Sequence, residues 1–268
     1  MDQKVFERLR EIIYETSGIT LSDQKITLVS TRLGKRLRAL KLDSYEEYLK
    51  YLLNPNNNGE LVSLLDVIST NVTSFFREDE HFEMTKKVVG EWLAEGQSRF
   101  RFWSAASSSG EEPYSLAMTL CEIFGNKKVD AKILGTDIST PVLQHCMQGV
   151  YTQQRVATIP PPLLQKYFTP LSGPDGEELW QVRPILQDMT VFRRTNLSTP
   201  PFPIKGPIDI VFCRNVMIYF DKDVRTRLVT EIFRVLRQGG YLFVGHSENL
   251  TSLKTDFQSV RPSIYRKM

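Results

Sequence analysis

The stretch Trp103–Ser115, WSAASSSGEEPYS, joins five small residues, a glycine and two adjacent carboxylates in a pattern able to hold a ligand. It follows a β-type run, Arg99–Trp103, and enters a helix that starts near Glu111–Pro113, with apolar residues at Leu116, Leu120 and Ile123. Proline suits a first helical turn because its missing N–H has no partner there. The small residues and Gly110 let a ligand approach the backbone where helix N–H groups point outward. A strand, a small-residue turn and a helix make the nucleotide pocket of doubly wound α/β sheets. Glu111 and Glu112 would repel a pyrophosphate and instead suit a cationic or hydroxyl-rich ligand. The same acids also favour an ordinary helix N-terminus, and a glycine turn after a strand is by itself a weak signal.

Two further stretches carry side chains of this kind. Ala131–Gly135 reads as a buried strand, and Asp137 follows it, 27 residues after Gly110. An acid at the end of the second strand is where such folds bind a ribose hydroxyl pair, and Ser139 with Pro141 already supplies the start of the next helix. Thr70–Arg77, TNVTSFFR, is polar, then aromatic, then cationic. Phe75 and Phe76 belong in a core, whereas Asn71, Thr73 and Arg77 have less reason to be interior and are expected to face a pocket.

The elements that must position these groups follow from periodicity. Residues 4–16 read as a helix stopped by Gly18, and a second helix is expected from Ser22 to Lys41. The second has Ile26, Val29, Leu33, Leu37 and Leu40 as its stripe; Lys25, Arg32, Lys35, Arg36, Arg38 and Lys41 lie off it, with no acid after Asp23. That imbalance points to an acidic docking partner. Ser44–Glu47 forms a capping box for a third helix through Leu53, and Glu60–Ser69 reads as a fourth, so a helical unit of residues 1–70 is expected. Another helix runs from Asp79 to about Ala94. From Arg99 strands and helices alternate, with core strands at Ile208–Cys213 and Tyr241–Gly245 and a helix from Asp221 to Arg237, stopped by Gly239-Gly240. Tyr151–Leu171 reads as irregular, and Leu179–Val182, Ile185–Met189 and Thr190–Thr195 as a small antiparallel insertion whose last strand re-enters the main sheet. Phe257–Val260 and Ile264–Arg266 are expected to pair as an edge hairpin.

Composition narrows the class. The 268 residues are 41% hydrophobic and 24% charged, with a formal charge of +3, too small to imply nucleic acid. Cys121, Cys146 and Cys213 are odd in number and far apart, which reads as reduced thiols in a cytoplasmic chain. His81, His145 and His246 are equally scattered, so no metal is expected. The N-terminus is charged from its second residue, unlike a secretory signal, and no apolar run approaches the roughly 18 residues that cross a membrane.

Taken together, TNVTSFFRE (70–78), SAASSSGEEPYS (104–115), TDIS (136–139), FCRNVMIYF (212–220) and GHSEN (245–249) resemble, in order, the CheR family of chemotaxis receptor glutamate methyltransferases. The resemblance implies an α/β fold: a Rossmann-like, S-adenosylmethionine-dependent methyltransferase domain over 71–268, with a small antiparallel β-subdomain inserted at about 172–192, preceded by an all-α N-terminal domain. It implies that Asn71, Thr73, Arg77, Glu112, Asp137, Asn196, Leu197, Arg214 and Asn215 line the cofactor cleft, with Asp137 on the ribose and Arg77 and Tyr219 nearest the methyl group. The residues alone leave open which of Glu111 and Glu112 meets the cofactor; family alignment favours Glu112. The resemblance also implies that Arg32, Arg36 and Arg38 dock the cytoplasmic helices of methyl-accepting chemoreceptors. In some relatives the β-subdomain binds a receptor C-terminal peptide; the corresponding segment here is LSGPDGEELW. Two rivals remain: a methyltransferase for nucleic acid or an amide nitrogen, and a binding module without activity. The first expects an Asn/Asp-Pro-Pro-aromatic run where this chain has Arg214-Asn215-Val216-Met217.

Overall fold

A computed structural model describes residues 1–57, 59–69 and 72–268. The N-terminal stripes close into four helices, α1 (Gln3–Ser17), α2 (Ile26–Leu40), α3 (Tyr45–Leu52) and α4 (Glu60–Ile68). Their shared core is built from Phe6, Leu9, Ile13, Val29, Leu33, Tyr48 and Leu64. Local chemistry sets the ends. Ser44 accepts from the Glu47 amide at 3.1 Å while the Glu47 carboxylate reaches back to the Asp43 amide at 2.9 Å. Gly18 ends α1 at φ 69°. The expected second helix is preceded by a 3-10 turn at Asp23–Lys25 and stops one residue short of Lys41, which caps it with φ 56°.

After α5 (Glu80–Ala94), the chain alternates β1 (Arg99–Ser104), α6 (Glu111–Phe124), β2 (Asp130–Asp137) and α7 (Thr140–Gln148). Then come β3 (Val150–Thr152), α8 (Gln153–Val156), α9 (Pro161–Tyr167), β4 (Phe168–Ser172), β5 (Glu178–Val182), α10 (Pro184–Gln187) and β6 (Thr190–Arg194). It finishes with β7 (Ile208–Cys213), α11 (Lys222–Val235), β8 (Leu236–Val244), β9 (Phe257–Arg261) and β10 (Ile264–Lys267). Among the described residues the main sheet has the order β6-β2-β1-β7-β8-β10-β9, parallel from β6 to β8, and β3-β5-β4 form a separate antiparallel sheet. Alternate residues of β7 feed the two faces. Ile210 and Phe212 pack with Phe82, Leu116 and Leu120, while Val211 and Cys213 pack with Leu228 and Ile232.

Three expectations need correction. Ile185–Met189 is not a strand, because Pro184 starts the short helix α10 there. The proline-rich Tyr151–Leu171 is ordered into part of β3, then α8, α9 and most of β4, so the antiparallel strands begin at Val150 rather than near 172. Gly239-Gly240 does not stop a helix. The helix ends at Val235, and the glycines form an irregularity inside β8, which pairs with β7 at Ile208↔Leu236 and again at Ile210↔Tyr241. A Cβ at Gly240 would lie 2.9 Å from the Asp209 carbonyl oxygen, so the close approach needs glycine.

The buried Glu60 carboxylate ties the helical unit together, accepting from the Tyr48 hydroxyl at 2.8 Å and from Arg36 Nε at 2.9 Å. Glu60→Ala strands both donors. Because the Arg36 side chain keeps 29% exposure to water, the expected loss is about 2 kcal/mol, read as a lowered denaturant midpoint.

Candidate active site

From β1 the chain moves outward to β2 and β6, then returns to β7 and β8 on the other side. The loops leaving β1 and β7 therefore diverge, and a crevice opens beyond the carboxyl ends of the strands. An open cleft of about 1250 Å³ lies there. Its floor is the sheet end; its roof comes from the helical unit through Ser17, Ile19, Leu21, Lys25 and Arg32. Thr73, Arg77, Glu112, Asp137, Asn196, Leu197, Arg214, Asn215 and Tyr219 all line it, drawn together from stretches separated by up to 146 residues. Asn71 lies outside the described residues.

The small-residue turn is held by its backbone. Ser108 and Gly110 take φ of 46° and 98°, and a Cβ on Gly110 would meet the Tyr151 hydroxyl at 2.7 Å. This turn separates the two adjacent acids. Glu111 is buried away from the cleft, where it binds the Ser109 hydroxyl at 2.7 Å and pairs with Arg155. Glu112 lines the cleft, accepting from the Ser104 hydroxyl at 2.7 Å and from Arg214 at 3.0 Å. Burial pushes the Glu112 carboxyl above its ordinary range against the opposing pull of Arg214. Asp137 accepts from the Ser108 and Ser139 amides at 2.9 and 3.0 Å; burial raises its carboxyl too, despite those bonds.

Arg214 is the hub. Its side chain is 2% exposed and lies over the Phe82 and Phe212 rings. It reaches Glu78 at 3.0 Å, Glu112 at 3.0 Å and the Arg77 carbonyl oxygen. Glu78 also accepts from Asn215 Nδ2 at 3.2 Å. Burial alone would raise Glu78, but Arg214 and Asn215 hold its carboxyl below the usual range. Sequence reasoning assigned Glu78 no role. The signal was an acid directly after the cationic end of TNVTSFFR, whose partner lies 136 residues away.

The scattered histidines also meet. His81 and His246 have ring centroids 5.5 Å apart, and with Glu78 they put ligand-type atoms within 4.8 Å of one another. His145 lies apart from this pair, against Tyr151. Arg214 already holds the Glu78 carboxylate, and His246 pairs with Glu80.

Other expected residues have commitments within the chain. Asn196 donates to the Thr16 carbonyl at 2.7 Å and accepts from the Ser198 amide at 3.0 Å. Arg77 donates to the Val72 carbonyl at 2.9 Å and stays 38% exposed. Arg32 caps the end of α4, donating to the Ile68 carbonyl at 2.7 Å, and Arg36 is bonded to Glu60. Arg38, Lys35 and Lys41 are exposed.

Comparison with known proteins matches this architecture. A model described as the CheR methyltransferase SAM binding domain covers residues 71–266, and one described as the CheR methyltransferase all-alpha domain covers residues 4–69. Chemotaxis protein methyltransferase 2 of Pseudomonas aeruginosa is 40% identical over 260 residues, spanning 97% of this chain and 91% of that protein. The chemotaxis protein methyltransferase of Salmonella typhimurium is 38% identical over 260 residues, spanning 97% and 88%. That of Borreliella burgdorferi is 38% identical over 267 residues, spanning 97% and 93%.

The buried imidazole beside this hub makes a pH prediction. Burial, with Arg214 adding to it, pushes His81 from 6.5 down to about 3. Between those values the unfolded chain binds one more proton at this residue than the folded protein, so stability falls as pH falls through that window. His81→Asn is expected to flatten the slope by up to about 1.4 kcal/mol per pH unit. Urea unfolding of both proteins at several pH values below neutrality measures the difference.

Proposed function

The chain belongs to the CheR methyltransferase family, and we propose that it methylates glutamate side-chain carboxylates of chemoreceptors, leaving glutamate methyl esters and S-adenosylhomocysteine. It is an S-adenosylmethionine-dependent methyltransferase. The observation that carries the substrate assignment is the shape of one cleft. Acids, Glu112 and Asp137, line its buried part; a cation and a phenol, Arg77 and Tyr219, line it where Arg77 is still exposed; the basic helix α2 borders it through Leu28 and Arg32, with Lys25 in the turn just before it.

The residues fit the cofactor. Ser108 lines the cleft, and its buried hydroxyl has no partner within the chain. Next to it, Asp137 offers carboxylate lone pairs suited to ribose hydroxyls, and Glu112 offers negative charge to the cationic end of the donor. Thr73, Asn196, Leu197, Arg214, Asn215 and Asn71 complete the proposed binding set. When bound, the cofactor supplies a methyl group on a sulfonium, with a neutral thioether as leaving group.

The protein's own task is then positioning. A glutamate side chain has a reference pKa of about 4.3, so it arrives ionised and needs no general base. Arg77 holds the incoming carboxylate, and the Tyr219 hydroxyl orients it by a hydrogen bond. Closure of the substrate over the cleft removes water from the nucleophile. The receptor helix is proposed to dock along α2. Arg32 and Arg36 are already bonded within the helical unit, so the exposed charge at Arg38, with Lys35 and Lys41, carries most of the attraction. The β3-β5-β4 sheet is a candidate seat for a receptor C-terminal peptide, and its β4–β5 turn contains Gly173 and Gly176. No described helix is long and apolar enough to cross a membrane; a cytoplasmic site of action suits the receptor domain it would meet.

The decisive assay incubates the protein with methyl-labelled cofactor and chemoreceptor membranes, then adds alkali. Release of volatile labelled methanol is the expected result, whereas alkali-stable label would indicate an N-methyl product and overturn the assignment. Arg77→Ala should lower turnover about 100-fold at saturating receptor, the scale of a misplaced reacting group. Arg38→Glu should act differently, raising the KM for receptor severalfold with kcat within about twofold, and more so at low ionic strength.

A further inference from the structure

GHSEN, residues 245–249, is the family-like stretch that contributes nothing to the lining of the cleft. Its acid, Glu248, is 6% exposed and sits where the β7–β8 ladder runs out after Cys213↔Val244. Beyond that pair the two chains diverge, and their backbone N–H groups lose their strand partners. Glu248 takes them over. One carboxylate oxygen accepts from the Gly245 amide at 2.6 Å and the Asn215 amide at 2.8 Å; the other accepts from the Ile218 amide at 3.3 Å. Asn215 has φ 58°, in the left-handed region that asparagine reaches more readily than most side chains. Gly245 presses on the same turn, since a Cβ there would lie 2.9 Å from the Asn215 amide nitrogen and closer still to its side chain.

From this we infer that Glu248 is a positioning residue for methyl transfer. It fixes the segment Arg214–Phe220, and with it the places of Asn215 and Tyr219 in the cleft. The segment's other face is held by the helical unit, where the Thr20 amide and hydroxyl donate to the Tyr219 carbonyl at 2.8 and 2.9 Å. Glu248 therefore supplies the anchor from the sheet side. A carboxylate suits the task because one planar group can accept several converging N–H bonds in a buried place, bonds that no apolar side chain could replace.

The inference rests on the methyl-transfer reading above, so wild-type turnover comes first in the test. With the wild type active, kcat, KM for receptor, product affinity and melting temperature are measured for Glu248→Gln, Glu248→Ala and Gly245→Ala. Glu248→Ala should lose at least tenfold in kcat with KM for receptor changed less than threefold. Glu248→Gln keeps one acceptor oxygen and should recover part of that loss. Gly245→Ala displaces the same turn from the opposite side and should show the same kcat-weighted defect while keeping Glu248. Rates are expressed per site able to bind S-adenosylhomocysteine, so unfolded protein does not count. If Glu248→Gln and Gly245→Ala both turn over within twofold of wild type per folded site, the positioning role is overturned, even where melting temperatures fall. Absence of turnover in the wild type would instead overturn the reading of function.

Discussion

The cleft depends on one buried cation. Arg214 leaves the end of a central strand and joins three pieces of chain far apart in sequence: the acid at the start of the active-site helix, the acid after the aromatic linker and the Arg77 backbone. A guanidinium can do this because its fixed fork of donors meets several acceptors at once. The one guanidinium offsets part of the desolvation of both carboxylates, while the two acids repel each other. The opposite directions in which Glu78 and Glu112 are shifted show the balance. Glu78, with more bonds to donors, is held low, while burial dominates at Glu112.

The helical unit is the second constraint. The turn after α1 closes the cleft over the sheet. Asn196 bonds the Thr16 carbonyl, Thr20 bonds the Tyr219 carbonyl, and Ile19 forms a bridge with Phe220. Helix α2 thus shares its cleft wall with Tyr219. The division of labour among the arginines of α2 follows from their depth. Those facing the helical core or the cleft are bonded inside the chain, and Arg38, at the outer face, is left to water.

Much of this is legible in the sequence. The hydrophobic stripes of α1 and α2, the Ser44–Glu47 capping box, the Asp221 cap and the strands at Arg99–Trp103 and Ile208–Cys213 are local patterns, and each formed in place. Asp137 and the adjacent pair Glu111 and Glu112 could be read as acids of the site, though not which of the pair, because strand–turn–helix connections put their ends at one edge of a parallel sheet. What failed was also local in appearance. Gly239-Gly240 looked like a helix stop and became an irregularity in a strand, because Leu236 already pairs with Ile208 and the chain is extended before it reaches the glycines. Ile185–Met189 looked extended until Pro184 started a helical turn.

The sequence by itself determined the helices of the N-terminal unit, the central strands and which residue types stand at the strand ends. These depend on neighbours within a few positions, whose spacing decides what a helix face or strand face presents. Only the tertiary structure decided that Glu112 rather than Glu111 opens onto the cleft, that Glu78 is bound by Arg214, that His81 and His246 meet, and that Arg36 is tied to Glu60. Each of those depends on which side of a turn or helix faces a distant element, and so on the strand order and on how the helical unit seats against the sheet. Adjacent residues on one turn point in different directions, and nothing in their identities says which direction will be inside.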